Sequence, residues 1–236
     1  MKMLAGLFAL LLSGSGVAVT KWGEKVAIGN GYARTFVKLN GKKAKELGIA
    51  LSHTALSGLS HEMAEYVLPL PVALRPYKHV TMDWNPHGHE PDNVYTKPHF
   101  DAHFYFIKNS TRQRISCLGD DAAVCLTQPA PDTIAANYAP TPAGVPKMGW
   151  HWVDLLSPEF NGGIFTKTFL YGYYNGNMIF LEPMVTLEYL KSKKSAVSPV
   201  RLPKKFPYQG GNYPQAYRVH YDGKSRLHLI TLENLN

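Results

Sequence analysis

The sequence predicts a mainly β domain, an antiparallel β-sandwich or barrel-like fold with a few short helices. Three observations carry this expectation. Short segments of strand length recur along the chain between turn signals. Asn40-Gly41, Asn175-Gly176 and Asp222-Gly223 stand between such segments, and these pairs are the strongest short-range hairpin signals because both residues tolerate positive φ. Coiled-coil heptads and internal repeats are absent.

The elements follow in order. Tyr32 to Leu39 and Ala44 to Leu51 read as strands around Asn40-Gly41. Ser52 stands where it can N-cap a short helix running to Leu59. Glu65 to Leu70, His79 to Trp84 and Phe100 to Ile107 read as further strands, and Thr111 to Cys117 as one or two helical turns. Gln128 to Lys147, rich in Pro and Ala, reads as a long irregular loop. Ile164 to Tyr173 and Met178 to Leu187 flank Asn175-Gly176 in the clearest hairpin of the chain. Ala216 to Tyr221 and Arg226 to Leu232, joined at Asp222-Gly223, form the last pair.

The first 18 residues are set apart. Lys2 precedes an apolar run from Met3 to Leu12, then Ser13 to Gly16 breaks the helix and Gly16-Val17-Ala18 puts small residues before a cleavage point. This is the pattern of a secretory signal peptide, and the run is too short to span a bilayer, which takes about 20 helical residues. The expected mature chain, residues 19–236, is then a single β-rich domain, secreted or periplasmic, without a transmembrane segment. Hydrophobic residues make up 45% of the chain, enough for a core and against disorder.

The formal charge is +8 at pH 7. Much of the excess falls in a basic C-terminal extension from about residue 191, with Lys191, Lys193, Lys194, Arg201, Lys204 and Lys205. This reads as a solvated basic stretch; contact with anionic envelope polymers or lipid head groups is the alternative. No nucleic-acid-binding motif is present. P-loop, dinucleotide and GxSxG patterns are also missing, which disfavours nucleotide-binding and serine-hydrolase readings. The two cysteines, Cys117 and Cys125, enclose a short turn-rich loop. In an oxidising compartment they are expected to form a disulfide, because C-x7-C is not a usual zinc spacing and CxxC is absent.

Five of the ten histidines, His79, His87, His89, His99 and His103, fall within 25 residues. Read as a strand, residues 99–106 alternate. Phe100, Ala102, Phe104 and Phe106 take one face, and His99, Asp101, His103 and Tyr105 take the other. A row of imidazole and carboxylate suits a metal ion, most naturally zinc. Residues i and i+4 of a straight strand lie about 13 Å apart, so His99 and His103 share an ion only if the strand bends. The favoured constellation is one ion held by His89 and two members of the 99–103 row.

His87 is a further candidate on the same Pro- and Gly-flanked loop. His151, in an aromatic strand, reads either as a ligand or as a hydrogen-bonded core histidine. Glu182, out of character among apolar neighbours, reads either as a ligand or as the partner of an Arg or Lys, since a buried carboxylate is costly alone. Were the protein an enzyme, Asp101 or Glu90 could move protons beside the ion. The sequence leaves room for a small-molecule ligand and does not exclude a homo-oligomer.

These residues also carry a resemblance. Trp84-Asn85-Pro86-x-Gly88-His89-Glu90-Pro91, Pro98-His99-Phe100-Asp101-x-His103-Phe104-Tyr105, Met148-Gly149-x-His151-Trp152-x-Asp154 and Phe180-Leu181-Glu182-Pro183-Met184 resemble the shared motifs of an uncharacterised bacterial family, a domain of unknown function. The resemblance spans roughly residues 30–190. It implies a β-rich fold with a metal site at the His-rich motifs and no established reaction. The function expected is an exported metal-binding domain; its catalytic reading is a metal-dependent hydrolase or lyase, and the alternative is a non-catalytic envelope protein with a structural ion.

Overall fold

A computed structural model describes residues 17–236. The expected leader therefore lies, up to residue 16, outside the described residues. Among the described residues, fourteen strands form two antiparallel sheets. In chain order they are β1 (Ala18–Trp22), β2 (Val26–Ile28), β3 (Gly31–Asn40), β4 (Lys43–Ser52), β5 (Ala64–Leu68), β6 (His79–Asn85) and β7 (His99–Tyr105). Two short helices, α1 (Asn109–Arg112) and α2 (Asp120–Cys125), lead to β8 (Tyr138–Pro140) and β9 (Trp150–Asp154). Then come β10 (Lys167–Tyr174), β11 (Asn177–Thr186), α3 (Leu187–Lys191), β12 (Ala196–Pro199), β13 (Ala216–Asp222) and β14 (Leu227–Glu233).

One sheet runs β1-β3-β4-β14-β13-β12, with β2 also on β3; the other runs β5-β6-β7-β11-β10-β9-β8. The main core lies between them. Val37, Leu47, Ile49, Ile230 and Leu232 come from the first sheet, and Val80, Met82, Phe104, Tyr171 and Leu181 from the second. Each contributes through every second residue, as a sheet with one face on the core requires. The architecture is the expected β-sandwich.

Several local expectations need correction. The first Asn-Gly turn is displaced by one residue: Asn40 stays in the ladder opposite Lys43, and Gly41-Lys42 make the turn. A register shift between Lys38 and Leu39 moves the chain reversal along by that residue. Asn175-Gly176, in contrast, takes positive φ at both positions between paired Tyr174 and Asn177. Ser52 caps nothing with its side chain; its Oγ accepts from the Tyr32 backbone N–H, and the helix after it is a single 3-10 turn, His53–Leu56. Helix falls at 109–112 and inside the cysteine loop rather than over 111–117. The Pro-rich stretch carries the edge strand β8, ending on Pro140, a residue tolerated at an edge because it donates no ladder hydrogen bond.

Cys117 and Cys125 are joined in a disulfide that closes the loop around α2. The basic residues from Lys191 to Lys205 are exposed, but the segment does not simply trail from the domain, because β12 to β14 complete the first sheet. No described helix is long and apolar enough to cross a membrane.

Candidate metal centre

The second face of the second sheet, turned away from the main core, is polar at its centre. Strand β7 has the expected alternation: Phe100, Ala102 and Phe104 enter the core, while His99, Asp101 and His103 line the other face, all buried. Strand β6 repeats the pattern. Val80, Met82 and Trp84 enter the core, and Thr81, Asp83 and Asn85 stand directly opposite His103, Asp101 and His99. This alternation in His79 to Asn85 is the signal that could have found Asp83 and Asn85, which sequence reasoning missed. The register flanking Pro183 puts Glu182 opposite His103, and across β10, Gly172 stands opposite His151.

The β6–β7 ladder runs without a register shift. His99 and His103 therefore stay about 13 Å apart, as i and i+4 of a regular strand. They do not share a site, and the row divides into two groups: His89, His99 and Asp101, and His103, His151 and Glu182. In each, the ligand-type atoms lie within 4.8 Å of one another.

The first group is built by the 86–98 loop folding over β7. The His89 backbone N–H donates to the Tyr95 carbonyl at 3.0 Å. Gly88 permits this closure: its φ is +73°, and a Cβ there would stand 2.2 Å from the Tyr95 carbonyl oxygen. His89 Nδ1 lies 2.6 Å from the Glu90 carbonyl and His99 Nδ1 2.6 Å from the Lys97 carbonyl. A carbonyl only accepts, so both Nδ1 atoms carry the proton and both Nε2 atoms face Asp101, at 3.2 and 3.0 Å. Asn85 donates to the same carboxylate at 2.8 Å.

The second group is deeper. His103 Nδ1 meets Asp83 at 2.9 Å, which turns Nε2 toward Glu182 at 3.4 Å, and His151 Nε2 approaches the other Glu182 oxygen at 3.5 Å. The Phe180 ring packs on both imidazoles, with centroids 4.8 Å from His103 and 5.2 Å from His151. Gly172 makes the space, since a Cβ there would fall 2.0 Å from the Phe180 ring.

Electrostatically the face is poised around its carboxylates. Among the described residues, Asp83, Asp101 and Glu182 pair only with histidines, never with Lys or Arg. Burial raises Asp83 and pushes Glu182 up to about 8. Asp101 is held well below the usual carboxylate range despite its burial, by the His99 and His89 imidazoles. Burial works against charge on His89 and His103, yet the neighbouring carboxylates raise both to about 9. His151, buried beside those two positive rings, falls to about 3.

The remaining candidates lie outside. His87 is exposed and joins neither group, because the loop turns His89 inward and its i−2 neighbour outward. Glu90 is exposed and contributes only its backbone carbonyl. His79 stacks on Tyr105 at 4.8 Å, away from both groups.

All four resembling motifs deliver a side chain to this face: Asn85 and His89, then His99, Asp101 and His103, then His151, then Glu182. Buried His, Asp and Glu groups that could hold a metal ion are thus present. Comparison with family models, with curated protein sequences and with solved structures found no match.

Proposed function

We propose that this chain is an exported metal-binding β-sandwich protein whose first group, His89, His99 and Asp101, holds a divalent ion, zinc by its donor set. One observation carries the reading. With both Nδ1 protons committed to backbone carbonyls, three electron-pair acceptors converge on one point. Acceptors repel unless something positive lies between them, either protons on both rings or a cation. Anchoring of the distal ring nitrogen is the usual outer-shell support of a metal-ligating histidine.

Two imidazoles and one carboxylate form a donor set used by catalytic zinc, which keeps a position open for water. His89 is a third exposed at its side chain, so the group can be reached from solvent. A bound ion there would supply an acidified water, and Asp101 and the two histidines would hold the ion. This supports a metal-dependent hydrolase or lyase. A non-catalytic protein with a structural ion is the second reading. It is favoured by a cleft of about 860 Å³ that is lined by Val67, Leu74, Tyr77, His79 and Tyr208 and by no member of either group. The leader pattern and the disulfide support export.

The test is elemental analysis of untagged protein, with melting followed in chelator and in excess zinc. Bound metal stabilises by mass action, by about 4 kcal/mol at a thousandfold excess over its dissociation constant. Chelator should lower the Tm of the wild type, and His89→Ala should lose the ion of this group. Identical melting in both conditions, with no metal found, rejects the proposal. A cobalt-substituted chain whose visible spectrum shifts on adding azide has an open coordination position; an unmoved spectrum favours the structural reading.

A further inference from the structure

We infer that the second group, His103, His151 and Glu182, is a separate and enclosed metal site, so that the chain binds two ions. Separation comes first. Asp101 and His103 stand two residues apart on the same face of β7, as His99 and Asp101 do, so it is the choice of partner and not the spacing that divides the groups. The imidazoles of the two groups point at different carboxylates, Asp101 and Glu182, from different strands. One ion with bonds of about 2.0–2.2 Å cannot serve both.

The second group also has the dimensions of a coordination sphere. Ligand atoms held at about 2.0–2.1 Å in tetrahedral geometry stand about 3.3–3.4 Å from one another. The separations from His103 Nε2 to Glu182 Oε1 and from His151 Nε2 to Glu182 Oε2 are 3.4 and 3.5 Å, and the ligand atoms of the group all lie within 4.8 Å of one another. At that distance the contacts make poor hydrogen bonds. His103 Nε2 and Glu182 Oε2 are accordingly buried with no hydrogen-bond partner. Their side chains are 0% and 2% exposed. Two unpartnered polar atoms aimed into one buried space are rare in native proteins and call for an explanation. An ion between them supplies it.

The surroundings match an ion that is held rather than used. Asp83 accepts a hydrogen bond from His103 Nδ1–H at 2.9 Å and sets which nitrogen is free. Phe180 lies against both imidazoles and, with Gly172 beneath it, leaves little freedom for either ring.

The experiment is zinc titration of the chelator-stripped full chain, with stoichiometry read by calorimetry and by elemental analysis after desalting. The wild type should bind two equivalents. His151→Ala and the milder Glu182→Gln should each bind one, His89→Ala one, and His89→Ala combined with Glu182→Gln none, with circular dichroism checking that each variant is folded. A wild-type stoichiometry of one, unchanged by Glu182→Gln and lost in His89→Ala, overturns this inference and leaves the first site standing. Two equivalents lost together in either single variant overturns the independence of the sites. Wild type that binds no zinc overturns both.

Discussion

Asp83 shows how a single carboxylate can matter without touching an ion. It accepts from His103 Nδ1 and lies within 3.3 Å of the Thr81 hydroxyl, so its removal frees the imidazole to rotate and to change tautomer. Asp83→Asn should weaken binding at the second group by roughly 10–100-fold while leaving the first group intact, as removal of such outer-shell partners does. Zinc titration would read the change, and equal loss at both groups would reject this assignment. Gly172 is the second sensitive position. Gly172→Ala places a methyl group inside the Phe180 ring volume, so the ring must leave the two histidines. The expected destabilisation is about 1–3 kcal/mol, as for other overpacked sites, read as the denaturation midpoint; a neutral substitution would mean that Phe180 is free to move.

The disulfide acts on an element. Helix α2 has six residues, too few to persist alone, and only Cys125 among them is buried. The bridge to Cys117 and the Asp121 carboxylate, which accepts from the Ser116 and Cys117 backbone N–H groups at 2.8 Å each, hold it in place. A closed ring this small restricts the unfolded chain by roughly 2–3 kcal/mol. Cys117→Ser with Cys125→Ser should lower stability by about that amount in denaturant unfolding. An unchanged midpoint would show that the Asp121 contacts suffice without the bridge.

For the whole molecule, acid stability turns on buried neutral histidines. Burial chiefly, with the His53 charge beside it, lowers His228 to about 4, and burial with the Arg112 charge does the same to His79. In the unfolded chain both titrate near 6.5. Between these values the unfolded state binds at these two residues the protons that the folded state refuses, so their contribution to stability falls as pH drops from about 6.5 to about 4. The slope is at most about 1.4 kcal/mol per pH unit for each histidine. His228→Gln should make this decline shallower, measured as unfolding free energy across pH 4 to 7.5; parallel curves for variant and wild type would refute it. His228 sits 3.3 Å from His53 and in neither metal group, so the variant should keep its metal. Export is tested at the same scale: the protein recovered from its native host should begin at Val19, and material retaining Met1 would count against a cleaved leader.

Much of this was legible in the sequence because strands write their two faces in alternate residues. Phe100, Ala102 and Phe104 identified the core side of β7, and His99, Asp101 and His103 the polar side, before any pairing was known. His151 and Glu182 stood out as polar residues inside apolar strands, and the cysteine spacing pointed to its bridge. The same period in His79 to Asn85 held Asp83 and Asn85, but neither residue is conspicuous until its strand is known to lie beside β7. What only the tertiary structure decided was the partnership. The order β6-β7-β11-β10-β9 draws together residues up to 99 positions apart in the chain, Asp83 to Glu182, and register alone selects which carboxylate each imidazole meets. A local pattern states which side a residue faces. It carries no record of what faces it, because cross-strand neighbours are set by hydrogen-bond register between distant segments.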